Sequence, residues 1–383
     1  MNIDIFFDPV EEYLVDEVSD LNSVRHQITV HHGIPFPEWA TADIAVIGLS
    51  EVRGARGQQG AAGAAGAVRS AWYRLKKGAG RYRIVDLGNL RNGRTLEETY
   101  ERLRAVCDML LQNDVLTVLV GGTHDLHLGA YRAFEDLDQR ITVLNLDARV
   151  DLEGDDYAPN RTHLNELITH QPNYLFNFVH AAHQAYLVDA PATFALEKLN
   201  FDLIRLGQIH DDVRTLEPFA REAQMLSFDA GAIRQQDAPG AGGLPFGMSA
   251  EEACQLAWYA AYGHALQLAG LYEYDPDHDR RGQTAGVLAV MLWHLVEGYY
   301  HRPGPPDFDA AFMTRYVVPT HRPEGAAGQP LIFYKRTQTG QWWLEVPGAD
   351  DVVRRVPCGY ADYQQACAGV VPDRWITSHA RLI

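Results

Sequence analysis

Between about residue 40 and residue 302, short apolar runs rich in Val, Ile and Leu alternate with longer amphipathic stretches. This alternation is typical of strand–helix repeats around a parallel sheet whose two faces are covered by helices. We predict strands in seven runs: DIAVIGL (43–49), RYRIVDLG (81–88), VLTVLVGG (115–122), ITVLNLD (141–147), FDLIRLG (201–207), QMLSFD (224–229) and QLAGLYEYD (267–275). Helices are predicted at 67–75, 96–112, 249–263 and 283–302. The pattern therefore predicts a three-layer α/β fold with a largely parallel sheet.

The two ends of the chain differ from this central region. Residues 1–39 are predicted to be an N-terminal segment packed on a core domain that spans 40–302. Residues 303–383 form a predicted C-terminal extension, in which LIFYKRTQTGQWWLEV alternates about a TQTG turn as a β-hairpin would. The stretch GYADYQQACAG is predicted to be a short helix within that extension.

Charge and hydropathy exclude several classes of partner. The net charge of −17 argues against a nucleic-acid backbone or an anionic membrane, because either would be repelled. No apolar run approaches the length of a membrane span, and the first residues lack the layout of a signal peptide. We therefore expect a cytoplasmic protein.

Four of the predicted strands are followed by polar clusters. These clusters are GGTHD, NLDARVD, SFDAG and YEYDPD. The carboxyl ends of parallel strands meet at one edge of a sheet, where ligand sites form, so five side chains are expected to converge there: His124, Asp147, Asp151, Asp229 and Glu273. Each alone could satisfy a turn or cap a helix, but together they need an offsetting positive charge, for which a metal ion is the usual solution.

The order of these motifs resembles the ureohydrolase family, which includes arginase, agmatinase and formimidoylglutamase. GGxH, DxxxD, SFD with a following APG, and ExDP occur in that order within residues 40–302. The acid Asp125 and the segment NRTHLNELI (160–168) are similar to the formimidoylglutamase branch. The resemblance implies a manganese-dependent hydrolase of linear amidines that acts on guanidino or formimino groups and forms homo-oligomers.

The resemblance also assigns roles to individual residues. It implies that one manganese ion is held by His124, Asp147, Asp151 and Asp229. It further implies that His163 carries protons and that Glu273 pairs with the guanidinium-like end of the substrate.

Two positions depart from the family pattern. The histidine of DxHxD is replaced by Arg149, and the second aspartate of SFDxD is replaced by Gly231. Both are ligands of the second metal in the family, so we predict a degenerate centre with at most one ion or none.

A physical reason for this pattern is charge compensation. Clustered buried carboxylates need a counter-charge, and a guanidinium presents a rigid fork that never deprotonates. We predict that Arg149 occupies the place of the second cation, bonded to Asp147, Asp229 or both, with Gly231 making room for it.

The sequence leaves two functions open. The first is a one-metal hydrolase acting on a small amidine or amino-acid-like ligand. The second is a non-catalytic protein of the same fold, kept as a binding or regulatory module, in which Arg149 replaces the second metal.

Overall fold

The main sheet has ten strands among the described residues. The computed structural model describes residues 2–57, 59–137, 139–154, 156–320, 329–349 and 352–382. The strands of the main sheet are β1 Phe7–Asp8, β2 Thr29–Val30, β3 Ile44–Leu49, β4 Ile84–Leu90, β5 Leu116–Gly121, β6 Ile141–Leu146, β7 Leu175–His183, β8 Asp202–Arg205, β9 Met225–Asp229 and β10 Leu268–Tyr272. Their order is β1-β4-β3-β5-β10-β9-β6-β7-β8, with β2 beside β4. Only β1 runs antiparallel to its neighbour among the described pairings, so the predicted largely parallel sheet is confirmed.

Helices cover both faces of this sheet. They are α1 Glu12–Asp16, α2 Ala64–Trp72, α3 Leu96–Leu111, α4 His127–Arg132, α5 His163–Thr169, α6 Ala190–Lys198, α7 Leu206–Asp211, α8 Glu217–Glu222, α9 Ala250–Tyr262 and α10 Gln283–His301. Alternate side chains of β3 enter different cores: Ile44 and Val46 pack in the core with α2, α9 and α10. Ala45 and Ile47 pack in the other core with α3, α4 and α5. This alternation produces the predicted three layers.

Capping residues fix where two of the long helices begin. The Thr95 side chain accepts a hydrogen bond from the backbone N–H of Glu98 at the start of α3. Ser249 and Glu252 form a reciprocal capping box at the start of α9. Such caps satisfy backbone N–H groups that have no partner within the helix.

All seven predicted strands overlap strands of the structure, but five strands of the described residues were missed: the short β1 and β2, the long β7, and two strands of the C-terminal extension, Met313–Val318 and Val353–Cys358. The predicted helices at 96–112, 249–263 and 283–302 are confirmed, whereas the helix predicted at 67–75 lies at Ala64–Trp72. The longest of them is β7, Leu175–His183. Its apolar run is interrupted by Asn177, His180 and His183, which are nevertheless buried.

The C-terminal extension contains a second sheet. Its strands are β11 Met313–Val318, β12 Leu331–Arg336, β13 Trp342–Pro347 and β14 Val353–Cys358, all antiparallel and in that order. The predicted hairpin is β12 and β13, and the predicted short helix is α11 Tyr360–Cys367, which is followed by α12 Asp373–Leu382. This sheet contacts α8, where Arg221 donates a hydrogen bond to the backbone carbonyl of Trp342 at 2.9 Å.

The division of the chain at residues 40 and 303 stays a prediction. β1 and β2, which belong to the N-terminal segment, extend the main sheet through β4. Within the described ranges, no helix is long and apolar enough to cross a membrane.

Candidate metal centre and substrate pocket

The structure brings the five predicted site residues to one edge of the sheet. Strands β5, β10, β9 and β6 are neighbours in that order and run parallel. His124, Glu273, Asp229 and Asp147 lie at or just after their carboxyl ends, and Asp151 follows Asp147 in the next loop. The four carboxylates line a pocket of about 350 Å³. His124 lies fully buried beside them.

The Nδ1 atom of His124 faces three carboxylates. It lies 3.8 Å from Oδ2 of Asp147, 3.7 Å from Oδ2 of Asp151 and 3.7 Å from Oδ2 of Asp229. This nitrogen is buried and has no hydrogen-bond partner within the described part of the chain. Two ligands of one ion at about 2.1 Å can be no more than about 4.2 Å apart. Ligand atoms of His124, Asp147 and Asp229 lie within 4.8 Å of one another, so these three residues could hold a divalent cation, with Asp151 close to His124 beside them.

The other oxygens of two of these aspartates are turned to the backbone. Oδ1 of Asp147 accepts the N–H of Arg149 at 2.9 Å, and Oδ1 of Asp229 accepts the N–H of Gly231 at 2.6 Å. Both are local bonds to the residue two positions later, a common arrangement for aspartate in turns. The Oδ1 atoms of Asp147 and Asp229, which do not face His124, are thus already hydrogen-bonded. Their donors are Arg149 and Gly231, the two positions that depart from the family pattern.

The guanidinium of Arg149 does not make the predicted bonds to Asp147 or Asp229. Among the described residues its guanidinium makes no hydrogen bond or ion pair, and only its backbone N–H bonds to Asp147. The arginine in ion-pair contact is Arg161, whose Nε lies 3.0 Å from Oδ1 of Asp151 and whose Nη2 lies 2.7 Å from Oε1 of Glu153. The charge of Arg149 also opposes the rise in the pKa of Asp151 that burial causes, but without a direct contact. The physical reason is that backbone amides already satisfy the oxygens expected to bind Arg149.

Gly231 also differs from the expectation that it makes room for Arg149. The three heavy atoms nearest to a Cβ built at Gly231 belong to Asp229 and Ala241. The closest of them, Oδ1 of Asp229, would lie at 2.9 Å. The missing side chain therefore leaves room for the Asp229 carboxylate.

Burial and mutual repulsion raise the pKa values of the clustered carboxyl groups. Burial, reinforced by the charge of Asp151, raises the pKa of Asp147 well above its usual range. Burial, reinforced by the charges of Asp147 and Glu273, does the same for Asp229. Burial raises the pKa of Asp151 to about 6, although the charge of Arg161 opposes the shift. A divalent cation would displace these protons, since it supplies the missing positive charge.

Glu273 is held in place by the backbone and by one amide side chain. Its Oε1 accepts the backbone N–H of His124 at 2.8 Å and the Nδ2–H of Asn160 at 3.1 Å. Its own φ is 63°, a left-handed value that costs an ordinary residue roughly 1–2 kcal/mol. Strain of this kind persists where the surroundings impose it, often at functional sites.

His163 lies against His124. Its ring centroid is 4.7 Å from that of His124 and 4.3 Å from that of His127. Its Nε2 lies 3.9 Å from Oδ2 of Asp151, and neither ring nitrogen has a hydrogen-bond partner in the described ranges. Burial lowers the pKa of His163 well below its usual value, so the ring is neutral.

Sequence reasoning missed a buried hydroxyl that joins two histidines. Oγ of Ser227 lies 2.8 Å from Nε2 of His124 and 2.9 Å from Nδ1 of His127, and all three residues are fully buried. If Nδ1 of His124 binds a cation, its Nε2 carries the hydrogen and donates it to Ser227. The Ser227 hydroxyl then donates to His127.

Asn160 and Arg161 were also missed as site residues. Both lie in the NRTHLNELI segment, in which the resemblance assigns a role to His163 alone. His127 follows His124 by three residues, and Ser227 belongs to the SFD motif. These positions were visible in the sequence, but the contacts they make were not.

Comparison with known proteins agrees with the fold and the motifs. A formimidoylglutamase of Citrobacter koseri is 27% identical over 303 residues, covering 74% of this chain and 95% of that protein. One from Geobacillus kaustophilus is 27% identical over 211 residues, which is 52% of this chain and 65% of the relative, just under two thirds of its length. The structure of Trypanosoma cruzi formiminoglutamase with Mn²⁺ superposes with a TM-score of 0.65 at 22% identity, over 70% of this chain and 96% of that one. The sequence model of the Arginase family matches residues 42–297, and the chain therefore belongs to the arginase family.

Proposed function

We propose that this chain hydrolyses a linear amidine, a guanidino or formimino compound, with a single divalent cation. The observation that carries the proposal is the buried Nδ1 of His124, faced by Oδ2 atoms of Asp147, Asp151 and Asp229 at 3.7–3.8 Å. The relatives named formimidoylglutamase and the T. cruzi structure with Mn²⁺ support a formimino substrate and manganese.

The orientation of the aspartates supports the proposal of a single cation. All three Oδ2 atoms lie 3.7–3.8 Å from Nδ1 of His124, whereas Oδ1 of Asp147 and of Asp229 accept backbone N–H groups. Arg149 and Gly231 supply no carboxylate or imidazole on that side.

Glu273 is proposed to bind the amidine end of the substrate. Its carboxylate lines the same pocket as the three aspartates and is held by the N–H of His124 and by Asn160. A carboxylate pairs with a planar amidinium through two charge-assisted hydrogen bonds, which orients the carbon to be attacked.

A cation at this site would lower the pKa of a water molecule and polarise the substrate. His163 is proposed to take up a proton and deliver it to the departing nitrogen. Its ring is neutral and buried, and its two nitrogens have no partner within the described ranges, so a lone pair is free to accept that proton.

The alternative is a non-catalytic protein of the same fold. That hypothesis relied on Arg149 as a fixed counter-charge for Asp147 and Asp229, and the guanidinium bonds to neither of them among the described residues. The geometry therefore favours the hydrolase, and the experiment below separates the two.

The test combines metal content with product release. Protein purified with excess Mn²⁺ is analysed for bound metal, then assayed for ammonia, urea or formamide from a panel of guanidino and formimino compounds. We expect one ion per chain and turnover of at least one compound. Glu273→Gln should keep the ion and lose turnover by about 100-fold or more.

Glu297→Gln is the matched control, because Glu297 is also buried but contacts Tyr82 and lies outside the pocket. Two ions at full occupancy would overturn the one-cation proposal. One ion with no product from any compound would support the non-catalytic alternative.

A further inference from the structure

Three arginines line the pocket, and they differ in how their charge is used. Arg161 is paired with Asp151 and Glu153 at 3.0 and 2.7 Å. Arg56 is exposed, and its Nη2 donates to the backbone carbonyl of Asp156 at 2.9 Å. Arg149 is half-buried, and its guanidinium has no hydrogen bond or ion pair to any described residue.

The carboxylates of Asp147 and Asp229 do not bond to the guanidinium of Arg149. Oδ1 of Asp147 and of Asp229 are occupied by backbone N–H groups, and their Oδ2 atoms face His124. A half-buried guanidinium has lost part of its hydration and gains from an anion that meets its fork. Among the described residues no carboxylate makes a hydrogen bond or ion pair with the guanidinium of Arg149, although its charge opposes the rise in the pKa of Asp151 that burial causes.

We propose that Arg149 is a binding subsite for a carboxylate of the substrate. This proposal rests on the proposed function and makes the substrate an amidino acid, with its amidine at Glu273 and its carboxylate at Arg149. Both residues line the same pocket of about 350 Å³, so one small linear molecule can contact both. A carboxylate suits the guanidinium because two parallel N–H···O bonds fix its position as well as its charge.

The same charges disfavour an amidine that ends in an amine. Its ammonium group would meet the positive guanidinium of Arg149 in a pocket that, under the proposed function, would also hold a divalent cation. Like charges in a partly desolvated site repel strongly, so the pocket is expected to reject dications.

A matched pair of compounds tests this proposal. Agmatine and 4-guanidinobutyrate share a guanidino group and a four-carbon chain, and end in an ammonium and a carboxylate respectively. Their affinities for the full-length, Mn²⁺-loaded protein are measured by isothermal titration calorimetry. We expect 4-guanidinobutyrate to bind about 10- to 100-fold more tightly, the range of a charge-assisted bidentate contact.

Variants assign the preference to one arginine. Arg149→Gln should weaken 4-guanidinobutyrate binding by about 10-fold or more and change agmatine binding by less than about 2-fold. Arg149→Lys, which keeps the charge without the fork, should fall between the two. Arg56→Gln is the control at the pocket mouth and should leave the preference intact.

Several outcomes would overturn the subsite. These are equal binding of the two compounds, equal weakening of both by Arg149→Gln, or loss of the preference in Arg56→Gln instead. A thermal melt of each variant shows that it is folded. Preferential binding of the carboxylate compound with no turnover in the product assay would refute the hydrolase but leave the subsite standing. Turnover without a carboxylate preference would do the reverse.

Discussion

The Ser227 hydroxyl offers a direct test of how the metal site is supported. In Ser227→Ala the Nε2 of His124 and the Nδ1 of His127 would each lose a partner at 2.8 and 2.9 Å in a fully buried position. An unsatisfied buried polar atom costs about 1–3 kcal/mol, so the two together should lower the free energy of unfolding by about 2–6 kcal/mol. The same change removes the bond that orients the ring of His124, the proposed metal ligand, and we expect Mn²⁺ affinity to fall by about 10- to 100-fold.

The assay pairs this variant with a matched loss of a buried hydroxyl. Thr117 lies on β5, is fully buried and bonds only weakly to the backbone carbonyl of Val115 at 3.4 Å. Thr117→Val should therefore keep Mn²⁺ affinity. Chemical denaturation measures the unfolding free energy, and calorimetric titration measures Mn²⁺ binding. Wild-type Mn²⁺ affinity in Ser227→Ala would refute the idea that this hydroxyl sets the orientation of His124.

Three further predictions address pH, the second metal position and the extension. Burial raises the pKa of Asp151 from 3.8 to about 6. The cation-free protein should therefore lose about 3 kcal/mol of its free energy of unfolding as the pH rises from 4 through 6. Calorimetric titrations should show Mn²⁺ affinity increasing over the same pH range, because the metal binds the deprotonated carboxylate. The double variant Arg149→His with Gly231→Asp should raise the metal content to two ions per chain. A Cβ at residue 231 would lie 2.9 Å from Oδ1 of Asp229 and would push that oxygen away from the backbone amide. Elemental analysis should show two ions in the double variant and one ion in either single variant. Arg221→Leu should destabilise the chain by about 1–3 kcal/mol in chemical denaturation, because two backbone carbonyls of the C-terminal sheet lose a charged donor.

The position of the site could be predicted because parallel strands share an edge. Polar clusters follow β5, β6, β9 and β10, and these four strands turned out to be neighbours in the sheet. The order of these strands does not matter for this prediction, since all carboxyl ends in a parallel sheet point the same way. For this reason the sequence alone predicts that residues from distant parts of the chain lie close together.

Strand β7 escaped prediction because the sequence signal and the burial disagree. Its polar residues Asn177, His180 and His183 suggest a half-exposed segment, yet they are buried between β6 and β8. Asn177 finds a partner in Asp202 on β8 at 2.9 Å, and His180 lies 3.2 Å from Asn145 on β6. These partners lie on other strands, so a pattern read along one segment does not contain them.

The predicted bond from the Arg149 guanidinium to Asp147 or Asp229 assumed that the strand continues through residue 151. Side chains at 147, 149 and 151 share a face only if that stretch is a strand, but β6 ends at Leu146. Beyond it, the N–H of residue 149 lies close enough to satisfy Asp147 without ordering a long side chain, whereas fixing an arginine costs up to about 2 kcal/mol of conformational entropy. Arg161 offsets that cost with two ion pairs, to Asp151 and Glu153. Which arginine pairs with the aspartates therefore depends on where β6 ends and on the position of the later loop that carries Arg161.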